Sequence, residues 1–288
     1  MYIKDIFSQK KPVLSFEIFP PKQQDGEEKV KTAAKQMSAL PIDYMSVTYG
    51  AGGSTSKNTA KIAQYIEDDL KKTALAHFTC VSSTKSETRE MLEDLQKRGI
   101  QNILALRGDK PVNGAFEIKN DYKYASELVK DIKDFGGFSI GGACYPHRHP
   151  DSLSTEADIE NLKIKADCGC DFFVTQMFFD NDAFYTFRDL CVKKGINLPI
   201  TAGIMPLTNA KQIEKMCILS GGASMPSKFT RMISKYIDKP DALRQAGIAY
   251  AVDQIIDLVS NDIDGIHVYT MNNSTVAEKI VTVINSLF

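Results

Sequence analysis

The chain has 288 residues, of which 43% are hydrophobic and 25% are charged, and its formal net charge is −1 at pH 7. This composition is typical of a globular protein with a sizeable core. The nearly neutral charge argues against a nucleic-acid-binding protein or a polybasic membrane binder, because both rely on a positive excess. No apolar run approaches the roughly 18 residues that span a bilayer, and the N-terminus lacks the basic-then-apolar order of a signal peptide. We therefore expect a cytoplasmic protein.

Cysteine and histidine spacing gives little support for a metal site. The six cysteines are scattered, and free thiols are expected in a cytoplasmic chain of this size. Cys168 and Cys170 form a close pair, but no second pair stands at zinc-finger spacing. His147 and His149 lack the third ligand that a catalytic metal usually needs. We expect no metal.

Strand-like and helix-like segments alternate along the chain. Eight such units predict an α/β protein with a closed (β/α)₈ (TIM) barrel, with extra helices inserted before the eighth strand and residues 1–288 forming a single catalytic domain. A doubly wound sheet is the alternative, but it needs a glycine-rich fingerprint where Pro20 and Pro21 stand. The predicted strands are 13–22, 43–49, 74–81, 103–106, 138–144, 172–176, 198–203 and 265–269. The predicted helices are 27–40, 57–70, 86–98 (capped at Ser86), 124–135, 155–168, 182–194, 209–219, 227–237, 241–260 and one from 276.

The first predicted strand carries one carboxylate inside an apolar run, in Val13-Leu-Ser-Phe-Glu-Ile-Phe-Pro-Pro-Lys22. Alternation along a strand places Ser15 and Glu17 on one face, opposite Leu14, Phe16 and Ile18. Burial disfavours the ionised form of a carboxyl group, and this favours a proton donor. An edge strand with Glu17 in water is the alternative.

Polar side chains follow most of the predicted strands. In a barrel, the catalytic residues lie at the carboxyl ends of the strands and in the loops that follow. Their convergence favours a site that includes Glu17, although Arg107 with Asp109 could be a local ion pair and His77 a core histidine. The residues at these ends are Glu17, Thr48, Tyr49, His77, Arg107, Gly108, Asp109, Tyr145, His147, His149 and Gln176.

Two further features have weaker functional signals. The glycine-rich loop 49–55 could cradle a phosphate or be a tight turn, and it lacks the Gly-Lys-Ser/Thr ending of a Walker loop. Asp158, Asn161 and Lys165 share one face of the helix 155–168. That face is either solvated or an extension of a site for a long ligand.

Several motifs together resemble one family. They are Ser15-Phe-Glu-Ile-Phe-Pro-Pro-Lys22, Ser46-Val-Thr-Tyr-Gly50, His77-Phe-Thr-Cys80, Ala105-Leu-Arg-Gly-Asp109, Tyr145-Pro-His-Arg-His-Pro150 and Phe172-Phe-Val-Thr-Gln-Met-Phe-Phe-Asp180. In this order, over nearly the whole chain, they are similar to the 5,10-methylenetetrahydrofolate reductases, specifically to the bacterial catalytic barrel that contains FAD.

The resemblance implies a ping-pong reaction in which NADH or NADPH donates a hydride to FAD and methylenetetrahydrofolate then accepts it. Glu17 matches the general acid, and Asp109 matches a second catalytic carboxylate beside the flavin. The matched flavin contacts are Tyr49, His77, Arg107, Gly108, Asp109, Tyr124, Ala125, Ala143, Tyr145, His149, Asp158, Asn161 and Lys165. The matched contacts to folate or nicotinamide are Thr48, Gln176 and Gln212.

The resemblance also implies a homo-oligomer, and in some bacterial relatives a partner subunit or a protein electron donor such as ferredoxin. A different flavin barrel and a flavin-free, pterin-binding methyl-transfer barrel are the competing interpretations. Two positions depart from the family pattern. Met216 stands where relatives often have Phe, and Asn273 stands where some have Arg, so the nicotinamide preference and recognition of the folate glutamate tail stay open.

Overall fold

The computed structural model describes residues 1–21, 26–49, 56–109, 118–213 and 225–288. Eight parallel strands form a closed barrel in chain order, and the eighth pairs with the first from Val13 opposite Gly265 to Glu17 opposite Tyr269. The predicted barrel is confirmed. The strands are β1 (Val13–Ile18), β2 (Tyr44–Val47), β3 (Thr73–Thr79), β4 (Asn102–Leu106), β5 (Ser139–Cys144), β6 (Phe172–Thr175), β7 (Ile200–Ile204) and β8 (Gly265–Tyr269).

Helices surround the barrel, and two of them lie between β7 and β8, as predicted. Residues 210–213 are helical as well, whereas the rest of the predicted helix 209–219 and Met216 lie outside the described residues, as do residues 50–55 of the glycine-rich loop. The helices are α1 (Ile3–Gln9), α2 (Glu27–Ser38), α3 (Ser56–Asp68), α4 (Lys85–Lys97), α5 (Ala125–Phe135), α6 (Thr155–Asp167), α7 (Asn181–Lys193), α8 (Ser227–Tyr236), α9 (Pro240–Ser260) and α10 (Ser274–Ile284).

The predicted cap of helix α4 is wrong. The N-cap is Thr84, whose hydroxyl accepts a hydrogen bond from the main-chain N–H of Glu87 while the Glu87 carboxylate accepts one from the N–H of Thr84. This reciprocal capping box pairs two main-chain N–H groups that would otherwise lack partners. Thr84 and Glu87 have the three-residue spacing of that motif, whereas the residue three positions after Ser86 is Arg89, which cannot accept the second bond.

Helix α1 was not predicted, and it covers one end of the barrel. Ile3, Ile6 and Phe7 are buried in one apolar cluster with inward-facing strand residues such as Leu104. The main-chain N–H of Ile3 donates to Oδ1 of Asn102, at the start of β4, over 2.7 Å. This end is the amino-terminal end of the strands, so α1 contributes stability and leaves the opposite end for the site.

The alternation along β1 decides which side chains face the barrel interior. Leu14, Phe16 and Ile18 pack into the large cluster between strands and surrounding helices. Ser15 and Glu17 point to the other side, into the barrel, where they meet groups from other strands. The strand is buried on both faces, and its inner face carries polar groups towards the carboxyl end.

Candidate active site

A buried carboxyl group lies between two imidazole rings in the barrel interior. Glu17, on β1, is 5% exposed, and its Oε2 lies 3.6 Å from Nε2 of His77 on β3 and 3.6 Å from Nε2 of His267 on β8. The β1–β8 and β1–β2 registers place Glu17 opposite Tyr269 and Ser46. Three strands therefore supply the ionisable groups of one cluster at the carboxyl end of the barrel.

His77 stays uncharged in this cluster. Burial lowers the pKa of His77 to about 4, an effect larger than the opposing attraction of the Glu17 carboxylate. Its Nε2 atom has no hydrogen-bond partner among the described residues, and 3.6 Å is beyond hydrogen-bond distance. The His77–Glu17 contact is therefore not an ion pair at neutral pH, and a neutral ring faces the carboxyl group.

His267 also lies in this cluster, although it is not among the residues that the sequence predicts for the site. It is 1% exposed, and its ring is bound at Nδ1 by the hydroxyl of Ser15 over 2.8 Å. Its Nε2 atom lies 3.4 Å from the hydroxyl of Ser46, on the side of Glu17. The ring thus spans the interior from β8 to β1 and β2.

The end of β1 is held by the segment that follows β8. The hydroxyl of Thr270 donates to the main-chain oxygen of Glu17 over 2.6 Å. Asn272 bonds both main-chain polar groups of Phe19, accepting from its N–H over 2.8 Å and donating to its oxygen over 3.0 Å. These contacts fix the backbone that carries Glu17 at the rim of the site.

Tyr269 crosses the barrel above His267. Its hydroxyl donates to the main-chain oxygen of Thr175 over 2.7 Å, and its ring stands edge-on to the His267 ring at 5.2 Å. A Cβ atom on Gly203 would come within 2.7 Å of the Tyr269 ring, so this position of β7 requires glycine for the ring to fit. Burial raises the pKa of Tyr269 well above its usual range, so the phenol stays protonated.

Lys165, on α6, brings a cation to the rim at β5. Its Nζ donates to the main-chain oxygen of Ala143 over 2.6 Å. Burial lowers the pKa of Lys165, and the carboxylate of Asp158 opposes that effect weakly. Asp158 in turn accepts from the main-chain N–H of His149 over 3.0 Å. Of the three residues predicted to share one face of this helix, Lys165 therefore contacts β5 and Asp158 contacts the loop after it, while Asn161 is exposed.

The loop after β5 is ordered by its own side chains and by β4. The rings of Tyr145 and His149 meet edge-to-face at 4.7 Å. The guanidinium of Arg107 donates to the carboxylate of Asp151 over 2.9 Å, which joins the end of β4 to this loop. Nδ1 of His149 accepts from the main-chain N–H of Asp151, which occupies a nitrogen that a metal would need. In the described ranges, no group of three His, Cys, Asp or Glu side chains could hold a metal ion.

The remaining predicted residues lie at strand ends or helix starts. Gln176 follows β6 and its side-chain oxygen accepts from the N–H of Met177, while Gly108 has a positive φ of 89° beside an exposed Asp109. Gln212 is buried, and its side-chain oxygen accepts from the N–H groups of Thr208 and Asn209 at a helix start. The others in this group are Thr48 and Tyr49 after β2, with Tyr124 as the exposed N-cap of α5 and Ala125 as its first residue.

The comparisons with known proteins match the whole barrel. The family model for methylenetetrahydrofolate reductase matches residues 2–285. The 5,10-methylenetetrahydrofolate reductase of Pectobacterium carotovorum is 35% identical over 267 residues, which cover 93% of this chain and 88% of the relative. The chain belongs to the methylenetetrahydrofolate reductase family. It is accordingly an oxidoreductase of folate metabolism.

Other relatives of the reductase extend the comparison. The 5,10-methylenetetrahydrofolate reductase of Escherichia coli K12 is 34% identical with the same coverage. The Arabidopsis thaliana relative named methylenetetrahydrofolate reductase (NADH) 1 is 32% identical, and the match covers 94% of this chain and 48% of that protein. A solved structure from Clostridium thermocellum, an uncharacterized protein described as binding two copies of 5-methyl-5,6,7,8-tetrahydrofolic acid, aligns with a TM-score of 0.67 and 19% identity, covering 98% of this chain and all of that one. At this identity the likeness supports the fold.

Asn273, one of the two departures from the family pattern, has a structural role in this reductase. Its side chain accepts from the N–H of Val276 and caps helix α10. An arginine side chain has no acceptor for this bond, so the asparagine caps the helix where an arginine would place a cation.

In the part of the chain that the structure describes, no helix is long and apolar enough to cross a membrane.

Proposed function

We propose that the protein uses FAD to reduce 5,10-methylenetetrahydrofolate to 5-methyltetrahydrofolate with a reduced nicotinamide as donor, in a ping-pong reaction with Glu17 as general acid. The observation that carries the proposal is the environment of Glu17: a buried carboxyl group, in a barrel of this family, that faces two imidazoles at 3.6 Å. Family membership supports the folate chemistry, and the geometry supports the residue roles.

The surroundings of Glu17 suit a proton donor. Among the described residues, the basic groups within 4 Å of its carboxylate are the rings of His77 and His267. The His77 ring is uncharged, so it meets the Glu17 carboxyl group without the full positive charge that a lysine or arginine would carry. Protonation of a folate nitrogen by Glu17 opens the five-membered ring that contains the methylene bridge, and this produces an iminium that accepts a hydride.

The rim residues fit a long anionic cofactor such as FAD. Lys165 is a cation whose pKa burial lowers and whose Nζ is bonded to the main-chain oxygen of Ala143, so an anionic group nearby would stabilise its charge. Tyr145, His149 and Arg107 lie in the same rim loops, where Arg107 would contact phosphate or ring oxygens. FAD would supply the two-electron chemistry between the nicotinamide and the folate.

The side chains at the ends of β2, β4 and β6 are proposed to bind and orient the substrates. The amide of Gln176 can donate to the pterin while its oxygen accepts from Met177, and the exposed carboxylate of Asp109 can accept from pterin N–H groups. Thr48 lies at the end of β2, next to the strand that carries Glu17. Gln212 is proposed as a further contact through its amide nitrogen, because its oxygen is bound within its own turn.

The electron donor is proposed to be NADH. The Arabidopsis thaliana and Zea mays relatives carry NADH in their names, and each is 32–33% identical to this chain over less than half of its own length. NADPH and a reduced ferredoxin are the alternatives. All three donors should be compared with the same protein.

Colour and anaerobic reduction test the proposal. The purified protein, or the protein reconstituted with FAD, should be yellow, and NADH should bleach its absorbance under anaerobic conditions. Methylenetetrahydrofolate should then restore the colour. A protein that cannot be loaded with FAD would overturn the proposal in favour of a flavin-free methyl-transfer barrel. Bleaching by reduced ferredoxin alone would overturn the assignment of the donor and leave the folate step intact.

A further inference from the structure

The proposed chemistry leaves the ring of His267 without a role, although it is the least exposed histidine in the described residues and lies beside the proposed acid. Its two nitrogens face different strands: Nδ1 meets the hydroxyl of Ser15 at 2.8 Å, and Nε2 points to Ser46 at 3.4 Å and to Oε2 of Glu17 at 3.6 Å. Because Ser15 lies two residues before Glu17 on the same face of β1, the ring is bonded to the strand that carries the acid.

The hydroxyl of Ser15 can serve either tautomer of His267. It can donate to Nδ1 over 2.8 Å, or accept from Nδ1–H while donating to the main-chain oxygen of Ile266 over 3.3 Å. In the first case Nε2 carries the proton and can donate to a carboxylate. In the second, Nε2 has a free lone pair and can accept from a protonated carboxyl group. Each neutral tautomer carries one ring proton, and the two suit opposite protonation states of Glu17.

The distance between His267 and Glu17 is typical of a site without bound ligand. A 3.6 Å separation is longer than a hydrogen bond, and catalytic hydrogen bonds are often long before ligand binding and shorten in the complex. Thr270 and Asn272 hold the backbone at Glu17 and Phe19, so the gap would close by rotation of the Glu17 side chain and not by movement of the strand. His77 cannot play the same part as firmly, since its Nε2 has no hydrogen-bond partner among the described residues.

We infer that His267 is a positioning residue, anchored through Ser15, which holds the carboxyl group of Glu17 in the orientation required for proton donation to the substrate. The inference rests on the proposed function. Within the described ranges, the titratable groups that face Glu17 are His77 from β3 and His267 and Tyr269 from β8. Of these, His267 has both ring nitrogens within reach of hydroxyl groups of neighbouring strands.

Two amide variants separate positioning from simple packing. In His267→Gln the amide reaches the place of Nε2 and can still meet Glu17. In His267→Asn it reaches the place of Nδ1 and meets Ser15 alone. We expect His267→Asn and His267→Ala to slow reoxidation of the reduced flavin by methylenetetrahydrofolate by roughly 10²-fold, the size of effect that small misplacement of a catalytic group causes. His267→Gln should recover most of this rate, and reduction of the flavin by NADH should stay within about twofold of the parent.

Thr201→Val is the matched control. Its hydroxyl is buried in the barrel interior on β7 and faces the Tyr44 hydroxyl, so its removal should leave both half-reactions unchanged. Equal folate rates in His267→Ala and the parent would overturn the inference, as would equal losses in the Gln and Asn variants. Failure of the parent itself to reduce the folate would instead contradict the proposed function.

A second measurement needs neither flavin nor activity. The chain has four histidines, and ¹⁵N spectra of their ring nitrogens report tautomer and hydrogen bonding. Loss of signals in His267→Gln assigns the ring. Ser15→Ala should then shift the Nδ1 signal and Glu17→Gln the Nε2 signal of His267. If neither variant moves them, the ring does not connect Ser15 to Glu17 and the inference is wrong.

Discussion

Nε2 of His77 lies 3.6 Å from Oε2 of Glu17 in the barrel interior, and yet the ring stays uncharged. Burial disfavours the imidazolium more than the nearby carboxylate favours it. The contact therefore joins a carboxyl group to a neutral ring and is not a salt bridge between two charges. This relationship has a measurable consequence for stability.

His77 should make the protein sensitive to mild acid. Its pKa is about 4 when folded and 6.5 ordinarily, so the folded state disfavours the proton. The contribution of His77 to the free energy of unfolding is therefore fully present above pH 6.5. It is lost as the pH decreases towards 4, by about 3 kcal/mol over the whole window. Urea unfolding at pH 7.5 and 4.5 measures the loss. His77→Gln should show less of it than the parent or the half-buried control His149→Gln, and an equal loss in all three would contradict the neutral-ring interpretation.

Glu17→Gln should separate the two half-reactions. The amide keeps the shape of the side chain but has no acidic proton to donate. We expect FAD binding and reduction by the nicotinamide to persist, while the folate half-reaction slows by about 10²–10⁴-fold, the usual contribution of a general acid. Anaerobic stopped-flow absorbance measures both steps. Glu28→Gln, an exposed change on α2, is the control. Near-parental folate turnover in Glu17→Gln would show that another group supplies the proton.

Lys165→Met should weaken FAD retention. The methionine keeps much of the buried stem but removes the charge that is proposed to meet the cofactor. Loss of a charge-assisted hydrogen bond of about 1.5–3 kcal/mol corresponds to roughly 10- to 100-fold weaker binding. Flavin fluorescence during dilution measures the dissociation constant. Lys163→Met is the matched control, because Lys163 lies on the same helix and pairs with Asp167. Equal affinity in both variants would show that Lys165 does not bind the cofactor.

Asn272→Ala should destabilise the rim of the site. Asn272 has a φ of 58°, and its side chain makes both hydrogen bonds to Phe19. Alanine loses these bonds and is strained in the left-handed region, so we expect the free energy of unfolding to fall by about 2–3 kcal/mol. Asn272→Gly loses the bonds without the strain and should lose about 1 kcal/mol less. Urea titrations measure both, and equal stability of the alanine variant and the parent would show that the two Asn272–Phe19 hydrogen bonds contribute little.

The amphipathic and alternating patterns predicted most of the fold. Strand and helix positions followed from the regular alternation of apolar runs, and the strand order followed because consecutive parallel units pair in sequence. Helix α1 was missed because it is short and has no side-chain cap. Its apolar residues are buried against the end of the barrel, which forms only when all eight strands have paired. The cap at Thr84 was detectable from the Thr-x-x-Glu spacing.

For the candidate site, the sequence predicted Glu17 and the rim residues but not how they meet. An isolated Glu in an apolar strand and polar residues at strand ends are local signals. His267 gave no such signal, because its strand is buried on nearly its whole length and sequence alternation does not say which face is the interior. Gln212 and Asn273 were predicted or noted for ligands, and the structure shows that each also caps its own helix start.

The sequence by itself determined the order of the eight units, the place of the acid at the end of the first strand, and the family. The tertiary structure decided which groups surround that acid. Ser15 and His267 are 252 residues apart and meet because β8 pairs with β1. Closure of the barrel is a property of all eight strands together, so no local pattern carries it. Glu17, which first stood out as a lone carboxylate, is buried between two imidazoles because those strands curve round to bring them there.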